Sequence, residues 1–150
     1  MKLSQFTDYS LRALLYLSQT REEVVKASEI ANCHRVSYHH MVKVLHKLRK
    51  LGYVSTRRGQ GGGVWLTAQP EAIQVGHVVR ETEIFASIGC LQSDSLDSVN
   101  FKKDRLGAAI SEAHEAFCQR LDQLSIADLM PSSEEPKEVN DSPVSDHGPF

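Results

Sequence analysis

The chain of 150 residues has few cysteines and no long apolar segment. Its three cysteines, Cys33, Cys90 and Cys118, form neither an even-numbered disulfide framework nor a CxxC pair. No apolar run approaches the roughly 18 residues that a membrane span needs. The first residues lack the apolar core of an export signal. These absences predict a cytoplasmic protein with free thiols and no membrane association.

Sequence motifs that support catalysis are also absent. There is no HExxH pair of metal-binding histidines, no GxGxxG fingerprint and no nucleophile–base motif. The glycine-rich segment at residues 59–63 lacks the GxxxxGK[ST] order of a phosphate-binding loop. The sequence therefore predicts a protein that is not an enzyme.

Charge is unevenly distributed along the chain, although the net charge is only −2. Residues 1–66 contain 11 lysines and arginines against 4 acids, a net charge of +7. Residues 67–150 contain 6 against 15, a net charge of −9. A basic first half favours a polyanion-binding surface there, although segregation of solvated charges by chance would give the same totals.

Helical and hairpin signals follow one another in the basic half. Residues 5–19 have the apolar spacing of an amphipathic helix, and Ala27, Ile30 and Ala31 mark a short second helix. A third helix begins near Ser37, a favoured N-cap residue, and ends at Gly52. Two short segments of strand composition, residues 53–56 and 64–67, flank the glycine-rich loop and predict a β-hairpin.

This order predicts a winged helix-turn-helix: a mainly α fold with one small β-hairpin that binds double-stranded DNA. The third helix is the expected major-groove element, and the arginine-bearing hairpin loop suits the minor groove. We expect base contacts near the start of that helix, phosphate contacts from its lysines and minor-groove contacts from the wing. The predicted DNA-binding residues are Ser37, Tyr38, His39, His40, Lys43, Lys47, Arg57, Arg58, Gln60 and Gly61. For each residue alone, an ordinary solvated surface is the alternative.

Beyond the wing, the sequence predicts a sensor loop at 85–102 and a helix at 103–130, after a DNA-binding domain at 1–84. Apolar residues recur through this helix from Leu106 to Leu124. Because this stripe lies outside the expected winged-helix core, we expect it to form a homodimer. A helix that packs only within its own chain is the alternative. Residues 131–150 carry a net charge of −4 and predict a disordered acidic tail.

Five segments together have the character of a known family. They are residues 6–14 (FTDYSLRAL), 40–44 (HMVKV), 58–63 (RGQGGG), 75–83 (VGHVVRETE) and 126–129 (IADL). In these segments the chain resembles the winged-helix iron–sulfur repressors typified by NsrR and IscR. The first and third segments favour the NsrR branch. The resemblance implies a dimeric repressor, and for the NsrR branch it implies sensing of nitric oxide through an iron–sulfur cluster.

The cysteine pattern departs from this family. The family places three cysteines at about C-x5-C-x5-C before its long helix. Here Cys90 fills the first position, whereas Leu96 and Lys102 stand at the other two. Orthodox three-cysteine ligation is therefore impossible. Asp8 matches an aspartate ligand of NsrR-type proteins, but an acid in the first turn of a helix is also ordinary.

Several sensing alternatives stay open at the level of sequence. An unusual cluster could combine Cys90 with Asp8 across a dimer. A cluster-free regulator could instead sense through the Cys90 thiol, a small ligand or a partner protein. Cys118 and His114, four residues apart, could share one helical face, although an interface cysteine is the simpler interpretation. Cys33 is expected to be buried in the helix-turn-helix.

Overall fold

The computed structural model describes residues 3–20, 23–83 and 100–131, apart from the side chains of residues 100–104 and 106. Its elements confirm the predicted mainly α fold with one β-hairpin. They are α1 (Gln5–Gln19), α2 (Ala27–Cys33), α3 (Tyr38–Lys50), β1 (Val54–Arg57), β2 (Gly63–Leu66), α4 (Val75–Thr82) and α5 (Asn100–Leu121). Single 3-10 turns lie at Pro70–Ala72 and Ala127–Leu129.

Helix α1 lies against α3, α4 and β2. The Ser4 hydroxyl accepts a hydrogen bond from the Thr7 amide at 3.2 Å and caps the helix. Ala13, Leu14 and Leu17 are fully or almost fully buried along its inner face. The buried Ser18 donates its hydroxyl to the Leu14 carbonyl at 2.7 Å, so this polar group is satisfied inside the core.

Helices α2 and α3 end in the same way, with a left-handed residue just past the cap. After α2 this residue is Arg35, with φ 53°, and the Val36 amide donates back to the Ala31 carbonyl at 2.9 Å. After α3 it is Gly52, with φ 83°, and the Tyr53 amide donates to the Leu48 carbonyl at 3.0 Å. Both are Schellman closures, and only the second uses the glycine that such a position favours.

Ser37 caps α3 as predicted, because its side chain accepts from the His40 amide at 3.3 Å. Met41, Val44, Leu45 and Leu48 form the buried face of the helix, and Leu51 at its end is half-buried. The hydrophobic stripe therefore fixes which side of α3 packs on the core.

The β-hairpin, hereafter the wing (Val54–Leu66), is anchored to the body of the protein. Its strands are antiparallel, with Val54 opposite Leu66 and Arg57 opposite Gly63. Val25 adds a short third bridge: its amide donates to the Val64 carbonyl at 3.0 Å and its carbonyl accepts from the Val64 amide at 2.8 Å. The second strand of the wing is thus held beside the residues that lead into α2.

Helices α4 and α5 pack closely at Gly76. A Cβ atom at Gly76 would overlap the Cys118 carbonyl oxygen, so only glycine allows this approach. Arg80 on α4 reaches across and forms ion pairs with Glu115 at 3.0 Å and Asp122 at 2.6 Å. These hydrogen bonds lower the pKa of both carboxyl groups.

The C-terminal helix differs from the sequence prediction in extent and in packing. It begins at Asn100, inside the predicted loop, and ends at Leu121 rather than continuing towards residue 130. The chain then bonds back to the body, since the Val75 amide donates to the Leu124 carbonyl at 2.9 Å. Phe117, Cys118 and Leu121 pack into or against the common core. We expected the apolar stripe to lie outside the winged-helix core. This expectation is wrong for the end of α5, which packs into that core.

Candidate nucleic-acid interface

The helix-turn-helix places the start of α3 at the surface. Tyr38 is 54 % exposed, and His39 and His40 are exposed beside it. Tyr38 and His39 contact each other edge to face, with ring centroids 6.0 Å apart. These side chains therefore occupy the end of α3 that our sequence interpretation assigned to base edges.

The predicted residues of α3 lie on two sides of the helix, because Tyr38 is on the side towards the wing. His40 and Lys43 lie on the side of α3 that faces Gln5, Phe6 and Tyr9 of α1, where they line a cavity of about 170 Å³. Lys47 is half-buried. The side of α3 towards the wing carries Tyr38, Val42, His46 and Arg49 instead.

Sequence reasoning missed His46 and Arg49. Both are exposed and lie on the wing side of α3. The helical periodicity could have found them, because His46 falls between Val42 and Lys50 on the face opposite the buried stripe. The prediction was based on the lysines and the first histidines of α3, and of these His40 and Lys43 lie on the side nearer α1.

The two arginines of the wing are both exposed but differ in their contacts. Arg57 donates from Nη2 to the Gly61 carbonyl at 2.9 Å and so braces the loop. Within the described residues, Arg58 makes no hydrogen bond or ion pair and is free to reach outward. Gly59 and Gly61, with φ of 91° and 72°, supply left-handed positions that side chains disfavour. Gln60 and Gly61 lie exposed at the tip.

His34, which directly follows α2, is a polar group enclosed by the fold. Its ring meets the Tyr16 ring edge to face at 5.9 Å, and its Nε2 is buried without a hydrogen-bond partner. Burial lowers the pKa of His34 below 6.5, and the charge of Arg12 lowers it further. Neighbouring Cys33 is exposed, contrary to our expectation, because Ile30 and Ala31 form the buried face of α2.

The predicted sensor residues do not come together in the described part of the chain. Cys90 lies outside the described residues. The half-exposed Asp8 pairs with Arg12 on the next turn of α1 at 2.9 Å. Within the described ranges, no group of three or more histidine, cysteine or acidic side chains could hold a metal ion.

Cys118 and His114 do share one face, as the spacing suggested. The Cys118 sulfur lies 3.5 Å from His114 Nε2, and Cys118 is completely buried. Burial raises the pKa of its thiol, which disfavours the thiolate form that ligates iron. Together with the pairing of Asp8 and the exposed, separate Cys33, this donor chemistry does not fit a three-thiolate iron–sulfur cluster.

Within the same described residues, none of the helices is sufficiently long and apolar to cross a membrane.

Comparison with known proteins identifies the family. The profile of the Rrf2 family, described as iron-dependent transcriptional regulators, matches residues 3–132. The chain belongs to the Rrf2 family. It is 40 % identical over 132 residues to the HTH-type transcriptional regulator NsrR of Geobacillus kaustophilus, covering 87 % of this chain and 90 % of that protein. NsrR of Bacillus subtilis is 38 % identical over 137 residues, covering 90 % of this chain and 94 % of that protein.

Solved structures of Rrf2-type regulators share the fold. IscR of T. potens superposes with a TM-score of 0.63 at 25 % identity, covering 86 % of this chain and 85 % of that chain. This similarity confirms the winged-helix interpretation. This Rrf2 protein is therefore a DNA-binding transcriptional regulator similar to NsrR, and its family is not enzymatic.

Proposed function

We propose that this Rrf2 protein is a homodimeric repressor that reads a two-fold symmetric operator. Each protomer would place the start of α3 in the major groove and the tip of the wing in the adjacent minor groove. The observation that carries the proposal is the joint exposure of Tyr38, His39 and Arg58 on elements that the fold holds side by side. Such pairing of a recognition helix with a wing suits duplex DNA.

The length of α5 supports the dimer. Its 22 residues extend over roughly 33 Å, whereas the 8 residues of α4 cover only about 12 Å. Helix α4 contacts the end of α5 at Cys118 and Asp122. The first half of α5 therefore extends past α4, and Ala108 and Ala109 are exposed there. A second copy of α5 would cover this half.

A selection experiment tests the DNA-binding part. The full chain is incubated with a random-sequence duplex library, and bound duplexes are recovered and sequenced. We expect an inverted repeat whose half-sites are about one helical turn, or a multiple of it, apart. Recovery of sequences without two-fold symmetry would contradict the dimeric operator. Enrichment of no sequence would contradict specific binding altogether.

The first candidate follows from the resemblance to NsrR, which implies a regulator that responds to nitric oxide or a related redox stimulus through a cluster. The donor chemistry described above favours a second candidate, a cluster-free regulator that senses through Cys90, a small ligand or a partner protein. Iron and sulfide analysis of anaerobically purified protein separates the two candidates, with Cys90→Ser as the matched variant. Iron in the wild type that is absent from Cys90→Ser supports a cluster. An iron-free protein that still binds the selected duplex supports the second candidate.

Nitric oxide itself is tested on the same preparations. Binding of the selected duplex is measured by fluorescence anisotropy before and after addition of a nitric oxide donor. Under the first candidate, we expect the wild type to release DNA and Cys90→Ser to remain unaffected. Unchanged affinity of the wild type would exclude nitric oxide as the signal.

A further inference from the structure

A cleft of about 670 Å³ separates α3 from the wing. The walls come from the wing side of α3, from both strands of the wing and from the residues that begin α2. Its ionisable side chains are Lys26, Tyr38, His46, Arg49, Arg57 and Arg58. Lys26, His46 and Arg49 belong to none of the DNA contacts assigned so far.

The charge of this cleft has one sign. Four of its lining residues are lysine or arginine, and no aspartate or glutamate lines it. Walls of a single positive sign concentrate anions, and four cations around one cleft suit a polyanion better than a small ion. Because no carboxylate competes for these cations in the described structure, their charge is available to a ligand.

The position of the cleft determines which part of DNA would enter it. When α3 occupies the major groove and the wing occupies the neighbouring minor groove, one sugar–phosphate strand separates the two. That strand has to cross between α3 and the wing. Its phosphates would meet the cations that line the cleft, and such contacts position a protein without reading sequence.

We propose that this cleft holds the phosphodiester strand between the two grooves, and that Arg49 and Lys26 bind its phosphates. The inference rests on the proposed DNA-binding function and extends it to a part of the interface that the sequence did not predict. Arg49 lies in the last turn of α3, away from the base-reading end. Lys26 precedes α2, and its side chain forms no capping hydrogen bond.

A structural explanation for Arg49 makes a different prediction. A cation in the last turn of a helix stabilises the helix dipole. Loss of Arg49 would then lower thermal stability and leave DNA binding unaltered. Thermal unfolding is therefore measured for every variant beside its DNA affinity.

Salt dependence is the first test. The affinity for a selected duplex and for an arbitrary duplex is measured across a chloride series. For Arg49→Gln we expect weaker binding to both duplexes and a slope of log K against log salt that is smaller by about 1. Lys26→Gln should behave alike, and Arg49→Lys should restore the slope. Arg120→Gln, an exposed cation on α5 outside the cleft, is the matched control and should retain the wild-type slope.

Uncharged analogues of the DNA phosphates show which phosphate Arg49 contacts. Single methylphosphonates are placed along the selected duplex, and each is tested with wild type and Arg49→Gln. We expect one or two adjacent positions between the grooves to weaken wild-type binding but to have no further effect on Arg49→Gln. Identical methylphosphonate profiles for the two proteins, or an unchanged salt slope in both Arg49→Gln and Lys26→Gln, would overturn the proposal.

Inorganic phosphate tests for a small-anion site. At matched ionic strength, phosphate should compete with DNA no better than chloride does. Stronger competition by phosphate that disappears in Arg49→Gln would assign the cleft to a small anion instead.

The arbitrary duplex separates this inference from the proposed function. If selection finds no operator but the salt slope still depends on Arg49, specific recognition fails and the phosphate cleft stands.

Discussion

The two adjacent arginines of the wing illustrate how the same residue type acquires different roles. Arg57 is held by its bond to the Gly61 carbonyl, so part of its hydrogen-bonding capacity maintains the shape of the loop. Arg58 makes no such bond in the described structure and is exposed. A free arginine at the tip of a wing suits the narrow, strongly negative minor groove.

The Arg58→Ala variant tests this assignment. We expect it to weaken operator binding by roughly 1–3 kcal/mol without altering thermal stability. Arg57→Ala should weaken binding and also loosen the wing, which amide hydrogen exchange in residues 57–63 would detect. A gel-shift affinity unchanged in Arg58→Ala would count against a minor-groove role of the wing.

His34 makes stability dependent on pH. Its folded pKa lies below 6.5 because burial penalises the charged ring and Arg12 repels it. At His34, the unfolded chain therefore binds more protons than the native protein just below pH 6.5. We expect the free energy of unfolding to fall as pH drops through this window and to level off below the folded pKa.

Urea unfolding of wild type and His34→Phe checks this effect. The phenyl ring retains an edge-to-face contact with Tyr16 but cannot be protonated, so the variant should lose less stability on acidification. The difference between the two proteins isolates His34 from the other histidines. Parallel stability curves for the two proteins would contradict the assignment.

At the level of elements, the packing of α4 on α5 depends on one glycine. The position of Gly76 allows the two backbones to approach, and the ion pairs of Arg80 with Glu115 and Asp122 fasten the contact at its rim. These are partly exposed pairs, so we assign the stability of the contact mainly to close packing rather than to charge.

Gly76→Ala is expected to destabilise the protein by about 1–3 kcal/mol, because the added methyl group cannot be accommodated without separating the helices. Thermal and urea unfolding would measure the loss. Glu81→Ala, an exposed position on the same helix, is the matched control and should change stability within about 0.5 kcal/mol. Equal stability of both variants would show that α5 can shift to relieve the overlap.

At the level of the whole molecule, the basic half of the chain is also the half that forms the DNA-binding elements. The excess of +7 lies in residues 1–66, which build α1 to α3 and the whole wing. In the acidic half, Glu115 of α5 and Asp122 just beyond that helix hold Arg80 of α4. The net positive charge of the first half therefore attracts a polyanion to the DNA-binding elements, which favours productive orientation on DNA.

Dimerisation through α5 is testable with a matched pair of variants. Ile110→Glu introduces a charge on the half-buried apolar side of α5, whereas Ser111→Glu introduces it at a neighbouring exposed position. We expect Ile110→Glu to have the mass of a monomer by light scattering and to lose operator affinity, because only a dimer spans two half-sites. Ser111→Glu should remain a dimer. A dimeric Ile110→Glu would place the interface elsewhere.

The sequence by itself determined the order and type of the elements. Ser37 and Gly52 fixed the limits of α3 because caps act locally, and the apolar period of α3 chose Met41, Val44, Leu45 and Leu48 as its buried face. The wing could also be predicted from the sequence, since glycines at left-handed positions lie between two segments of strand composition.

Only the tertiary structure decided what lies beside each exposed face. Periodicity tells which side of α3 is buried, but not that the wing flanks His46 and Arg49 while α1 flanks His40 and Lys43. Likewise, the spacing of α5 was helical beyond Leu121, yet the helix stops there and the chain bonds back to Val75. These outcomes depend on contacts between residues far apart in sequence, which local patterns do not encode.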